Sequence, residues 1–208
     1  MNTSNLLSLS KDDFLRMKLV KALITKMESI PFAKITVSSL CKDAGVSRAT
    51  FYRLFENINE VACWDIIHDM ESAARQHPLD DDWRKTAAEQ IKAALELLLE
   101  EKFFFQRFYK EVAHTDYTAA YLRIQRYVQR ELLRLVQASG GGLEGPGCEF
   151  EIVFWACGAN NAVATWSATG MKEPPAYIAE NVVNCIPVRL AERLDKFMEQ
   201  RDATQSSN

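Results

Sequence analysis

The sequence predicts an all-α protein, a three-helix helix-turn-helix head followed by a larger helical body, and three observations carry that prediction. Residues 36–57, TVSSLCKDAGVSRATFYRLFEN, read as a short helix, a tight glycine turn and a second short helix. Elsewhere apolar residues recur at helical spacing between breaks at Pro31, Pro78 and the GGGLEGPG run at 140–147. The stretch from Cys148 to Thr169 is apolar almost all round, and a helix of that kind needs neighbours on every side.

The head is taken as residues 1–57. Met1 to Leu9 reads as a polar-leaning, poorly ordered tail. Ser10 with Asp13 makes an S-x-x-D capping signature, after which Phe14, Leu19, Val20, Leu23, Ile24 and Met27 follow at helical spacing. Thr36 can cap Val37 to Ala44, whose Val37, Leu40, Cys41 and Ala44 share one face. Gly45 permits the left-handed corner, Val46 can pin it, and Ser47 can cap a second helix from Arg48 to about Leu54. That helix offers Ser47, Arg48, Thr50, Tyr52 and Arg53 to a DNA groove, while Ala49, Phe51 and Phe55 are expected to pack inward.

The body is taken as residues 58–208. Asn57 or Asn59 can start a helix through Val61, Trp64, Ile67, His68 and Met70 that joins the two halves and ends before Pro78. Asp80 to Asp82 can cap the next, Trp83 to about Glu101, with an apolar stripe of Ala87, Ile91, Ala94, Leu95, Leu98 and Leu99. An aromatic helix begins near Lys102, with Phe103, Phe104, Phe105, Phe108 and Tyr109. A long one runs from about Thr115 to Ala138 with Tyr117, Tyr121 and Tyr127. After the apolar helix, Pro174 and Pro175 suit the first turn before Ala176 to about Ile186. Pro187 restarts the chain as Val188 to Arg201, and ATQSSN is expected to fray.

Composition narrows the function. The chain has 208 residues, of which 48% are apolar, enough for a packed core. The net charge of −3 hides an asymmetry: residues 1–57 carry nine Lys/Arg against five Asp/Glu, a balance of +4, leaving −7 on the rest. The positive part holds the reading motif, as a phosphate footprint requires. Five cysteines without a CxxC pair suggest neither a disulfide framework nor a zinc ribbon and fit a reduced cytosol. No signal-like segment or membrane-length apolar run is apparent, so a cytoplasmic location without membrane contact is expected. His68, His77 and His114 lack the spacing of a helical zinc site, and no nucleophile elbow or phosphate-cradling loop is present. Neither an enzyme nor a cofactor is expected.

With GVSRATFYRLF in view, the segment from about Leu15 to Trp64 resembles the N-terminal domain of TetR-type bacterial transcription regulators; the flanking IPFAKITVSSLCKDAG and FENINEV fit the same template without a gap. Later in the chain, WSATGMKEPP resembles the late segment of dihydroxyacetone-operon regulators. The resemblance implies a homodimer on a palindromic double-stranded operator, released by a small-molecule inducer held in the body. It also implies DNA contacts from Thr36, Ser38, Thr50, Tyr52 and Asn57. Two departures stand out: Ile58 occupies the place of a phosphate-touching lysine, and Pro31 that of a loop glycine.

Arg48 is suited to a forked pair with guanine, or to a plain phosphate contact. An inducer pocket is expected among Trp64, His68, Phe104, Phe108, Tyr121, Asn160, Asn161 and Trp166, because a polar pair inside an apolar helix needs partners. Core filling for the aromatics and a structural role for the histidines are the plainer alternatives. Two rival functions follow: an adaptor of the same fold that has lost operator binding, motivated by Ile58, and a small helical enzyme, for which no catalytic constellation is found.

Overall fold

The structure, a computed structural model, describes residues 10–80, 82–112, 117–138 and 146–205; the side chains of 112, 117–121, 135–138, 146–147, 197 and 200–205 lie outside the description. The expected N-terminal tail, His114 and the loop at 139–145 are therefore outside the described residues, as are the last three residues and the side chains of Tyr117 and Tyr121.

Ten α-helices account for the described chain: α1 (Lys11–Met27), α2 (Val37–Ala44), α3 (Arg48–Leu54), α4 (Ile58–Gln76), α5 (Trp83–Glu100), α6 (Lys102–Val112), α7 (Tyr117–Ala138), α8 (Pro146–Ala168), α9 (Pro175–Asn184) and α10 (Val188–Gln205). A short 3-10 turn, Phe32–Lys34, lies between α1 and α2.

The head forms as its local chemistry dictates. Ser10, Thr36, Ser47 and Asn57 each accept a hydrogen bond from the backbone amide three residues on, at 3.1, 3.1, 3.0 and 3.2 Å, satisfying an orphan donor of α1, α2, α3 and α4 in turn. At Thr36 the cap is reciprocal, with the Thr36 amide donating to Ser39 Oγ at 3.3 Å. Gly45 sits at φ +62°, and the Val46 amide reaches back to the Cys41 carbonyl at 3.0 Å; together they close α2 and turn the chain into α3. Lys26 Nζ pairs with Asp43 at 2.7 Å and ties α1 to α2.

One core continues from the head into the body. Leu19, Leu23, Leu40, Phe51 and Val61 share it with Leu95, Phe104, Phe105, Phe108 and Trp166. Accordingly α4 packs on α1 on the head side and on α5 and α7 on the body side. A second cluster gathers Trp83, Leu132, Ile152, Val183, Leu190 and Leu194, where α5, α7, α8, α9 and α10 meet.

Two sequence expectations are corrected. Phe14 lies outside the buried stripe of α1 and is exposed, because the stripe that meets α2 and α4 begins farther along, at Leu19. Ala49 faces solvent instead of the core, while Phe51 and Phe55 are buried as expected. The apolar helix α8 is not covered all round by its own chain. Cys148, Ile152, Ala156, Asn160 and Ala164 face inward, whereas Phe150 and Phe154 are 68% and 69% exposed. One chain supplies neighbours for one side only.

Candidate nucleic-acid interface

The reading helix α3 is held from behind and open in front. Phe51 is fully buried and Leu54 nearly so, which leaves Ser47, Arg48, Ala49, Tyr52 and Arg53 exposed on the outer face and Thr50 half-buried. Tyr52 stands edge-on to Phe51 with ring centroids 5.4 Å apart, so its ring direction is fixed while 53% of it remains exposed. The hydroxyls of Ser47 and Thr50 lie 2.8 Å apart, a bond that orients both. Ala49 adds a small exposed methyl to this face. Sequence reasoning missed it: a helix of seven residues has too little periodicity to say which face a small residue takes.

Arg53 is already engaged. Its guanidinium forks onto Asp12 at 2.7 and 2.8 Å, joining α3 to the first turn of α1. The pair holds the Asp12 carboxyl below its ordinary value. Both groups are exposed, so the pair competes with water and with any phosphate that approaches.

Beside α3 lies an open groove of about 410 Å³ lined by Phe32, Ala33, Ile35, Thr36, Val37, Tyr52, Glu56, Asn57, Ile58 and Asn59. It brings Thr36, Tyr52 and Asn57, three of the expected contact residues, to one place; Ser38, Ser47, Arg48, Thr50 and Arg53 stand outside it. The N-termini of α2 and α4 both open on this groove, and the positive ends of two helix dipoles suit a negatively charged ligand. Ile58 is half-buried and packs on the core, so the first helical position of α4 gives this groove an apolar side chain. Glu60 in the same first turn accepts from the Glu56 amide at 2.9 Å and pairs with Arg123 of α7.

Of the residues expected around an inducer, Phe104, Phe108 and Trp166 share one core, and Trp64 packs against it. Phe104 and Phe108 are buried and packed on each other and on Phe32, with centroids 6.1 and 5.6 Å apart. Trp64 and His68 stack at 4.7 Å, with the Arg16 guanidinium of α1 over the tryptophan, and burial pushes His68 below its ordinary pKa. Trp166 is buried, and its indole N–H donates to the Glu173 carbonyl at 2.9 Å, bracing the turn after α8. Asn160 is buried but Asn161 is exposed, since neighbours on a helix point about 100° apart. Asn161 is therefore corrected from an inward to an outward position. The Tyr121 side chain lies outside the described residues. A second groove, of about 240 Å³, lies between α5, α9 and α10 around Trp83, Ile186 and Val188; none of the other seven lines either groove.

An all-α protein with an exposed reading helix at its N-terminus and two helix ends beside it is a helix-turn-helix protein by construction. No family model and no curated protein matches the chain. Solved structures do. The dihydroxyacetone kinase operon activator DhaS is 17% identical with a TM-score of 0.54, covering 86% of this chain and 97% of its own. FadR from Thermus thermophilus, a TetR-family transcriptional repressor in complex with lauroyl-CoA, is 16% identical with a TM-score of 0.54, covering 82% and 92%. A tetR-family transcriptional regulator from Streptomyces coelicolor is 10% identical with a TM-score of 0.57, covering 90% and 89%. The chain has the fold of TetR-type transcription regulators, and the likeness to DhaS agrees with that of the WSATGMKEPP segment. Among the described residues no helix is long and apolar enough to cross a membrane.

Proposed function

We propose that the chain is a ligand-responsive transcription regulator that binds a palindromic operator as a homodimer and represses by covering the promoter. The observation that carries this reading is the exposed face of α3 beside the paired N-termini of α2 and α4: side chains for base edges next to dipoles for the backbone. In this reading residues 1–57 contact DNA and residues 58–208 dimerise and sense the effector, in the cytoplasm, with no catalytic role. Arg48 is the residue for base readout. Thr36, Ser38, Ser47, Thr50, Tyr52 and Asn57 approach the backbone or base edges.

Dimerisation is supported by the outward face of α8, where Phe150, Val153 and Phe154 are exposed in a row, and by exposed Tyr177 on neighbouring α9. A contiguous apolar face of this kind is what a second copy covers in a four-helix interface. Light scattering at micromolar concentration should return a dimer. A small effector would act by shifting α4, which packs on α1 of the head and on α5 and α7 of the body.

Sequencing the fragments of its own genome that the protein retains tests the reading. A shared palindromic sequence is the expected result, and retention without sequence preference would favour the adaptor reading that Ile58 motivates. Arg48→Ala should cost about 1–3 kcal/mol per lost base pairing and relax the preference. Ile58→Lys should tighten binding to all sequences alike and steepen the slope of log K against log salt by about 0.9 per head. An unchanged slope would place the start of α4 away from the phosphates.

A further inference from the structure

The link between α1 and the 3-10 turn, residues 28–31, is gripped from the body. Glu111 of α6 accepts the Phe32 backbone amide at 2.5 Å, and Arg107, one turn earlier on the same helix, donates to the Met27 carbonyl. The two side chains are bonded to each other through Arg107 Nε and Glu111 Oε1 at 3.0 Å. Each charge meets the helix end that suits it: the guanidinium lies at the negative C-terminus of α1, the carboxylate at the positive start of the 3-10 turn. Phe108, between them in sequence, sets its ring edge-on to Phe32. The charged side chains are 23% and 27% exposed, so water and salt screen this pair less than a surface pair. On its other side α6 packs along α8, the helix whose outer face is free for a second copy.

We infer that Arg107 and Glu111 are positioning residues for DNA binding: as one ion pair they clamp both ends of the link between α1 and the 3-10 turn and fix where the body holds the reading head. The inference rests on the function proposed above. A dimer can reach two half-sites at a fixed separation only if each head is held at one angle to its body. The covalent connection enters through α4, whose first residues, Ile58 and Asn59, line the same groove as Phe32 and Ala33. The clamp is a second point of attachment, 79 to 80 residues away in sequence, and two points define an orientation where one does not. Arg107 and Glu111 bond none of the residues assigned to DNA contact, so they act on where the head is held.

The test uses the full-length protein, the genomic fragment retained by the wild type and a fragment containing half of it. Glu111→Ala and Arg107→Met should each weaken binding to the complete fragment about ten-fold, leave half-fragment binding unchanged and leave the salt slope unchanged. Glu111→Gln, which keeps an acceptor for the Phe32 amide, should restore most of the loss. Hydrogen exchange on the free protein should show the Phe32 amide losing protection in Glu111→Ala while the Phe51 amide keeps it. Equal losses on both fragments, no loss on either, or an unaffected Phe32 amide would each overturn the inference and leave the functional reading standing. A wild type that retains no fragment would overturn that reading and the positioning role together.

Discussion

The head and the body are built by different means. In the head each helix starts on a side chain that bonds an amide three residues away, as Ser10, Thr36, Ser47 and Asn57 do. Among the described residues the body has such a start at Asp82, and its helices are also held by partners remote in sequence. Trp83 Nε1 and the Arg84 guanidinium both donate to Asp195 of α10, at 2.7 and 2.5 Å; Trp155 donates to the Val182 carbonyl at 3.0 Å; Arg189 pairs with Glu151 at 2.5 Å. A locally capped unit keeps its shape wherever it is carried, which suits a reading head. A unit held by distant pairs changes shape when one pair shifts, which suits the sensing role proposed for the body.

The comparison would break first at the shared core. Phe108→Ala removes a buried ring that touches Phe32 of the head and Phe104 of the body, and should cost about 3–5 kcal/mol in denaturant unfolding. Because the core is continuous, head and body should unfold in one transition; two separated transitions would mean that they are independent. Asp195→Ala should cost about 2 kcal/mol, chiefly by leaving the buried Trp83 N–H unpaired, since the Arg84 pair is half exposed. The Arg84 hydrogen bond holds Asp195 below its ordinary 3.8. Its contribution is thus present above that pH and is lost as the carboxyl protonates below it.

Asp69 on α4 shows the opposite sign. Burial, with Glu100 and Glu101 at the end of α5, pushes its carboxyl up to about 7, and Asp65 one turn earlier is raised by burial and by Asp69 and Glu101. The unfolded chain loses this proton near 3.8 and the folded chain near 7, so stability falls as pH rises across that interval and levels off above it. Asp69→Asn should flatten this fall and stabilise the protein by about 1–2 kcal/mol at pH 8, with little change near pH 4. Equal effects at both pH values would remove the charge explanation. The smallest change should be Thr36→Ala, at about 1 kcal/mol, confined to the start of α2 and visible as faster exchange of the Ser39 amide. A loss that spread into the body would contradict the contrast between the two regions.

The sequence by itself determined the helices and the reading motif. Ser10, Thr36, Gly45, Ser47 and Asn57 act on neighbours within a few residues, so their roles were legible without a partner, and the buried Phe51 fixed which side of α3 faces outward. Tertiary structure alone decided which faces are covered. Asn160 is buried and Asn161 exposed because α8 meets its own chain on one side, and no local pattern says which side that is. Arg53 met Asp12, and Arg107 and Glu111 met the link between α1 and the 3-10 turn, across 41 and about 80 residues. Caps are contacts between sequence neighbours, whereas clamps and covered faces arise only where packing brings distant segments together.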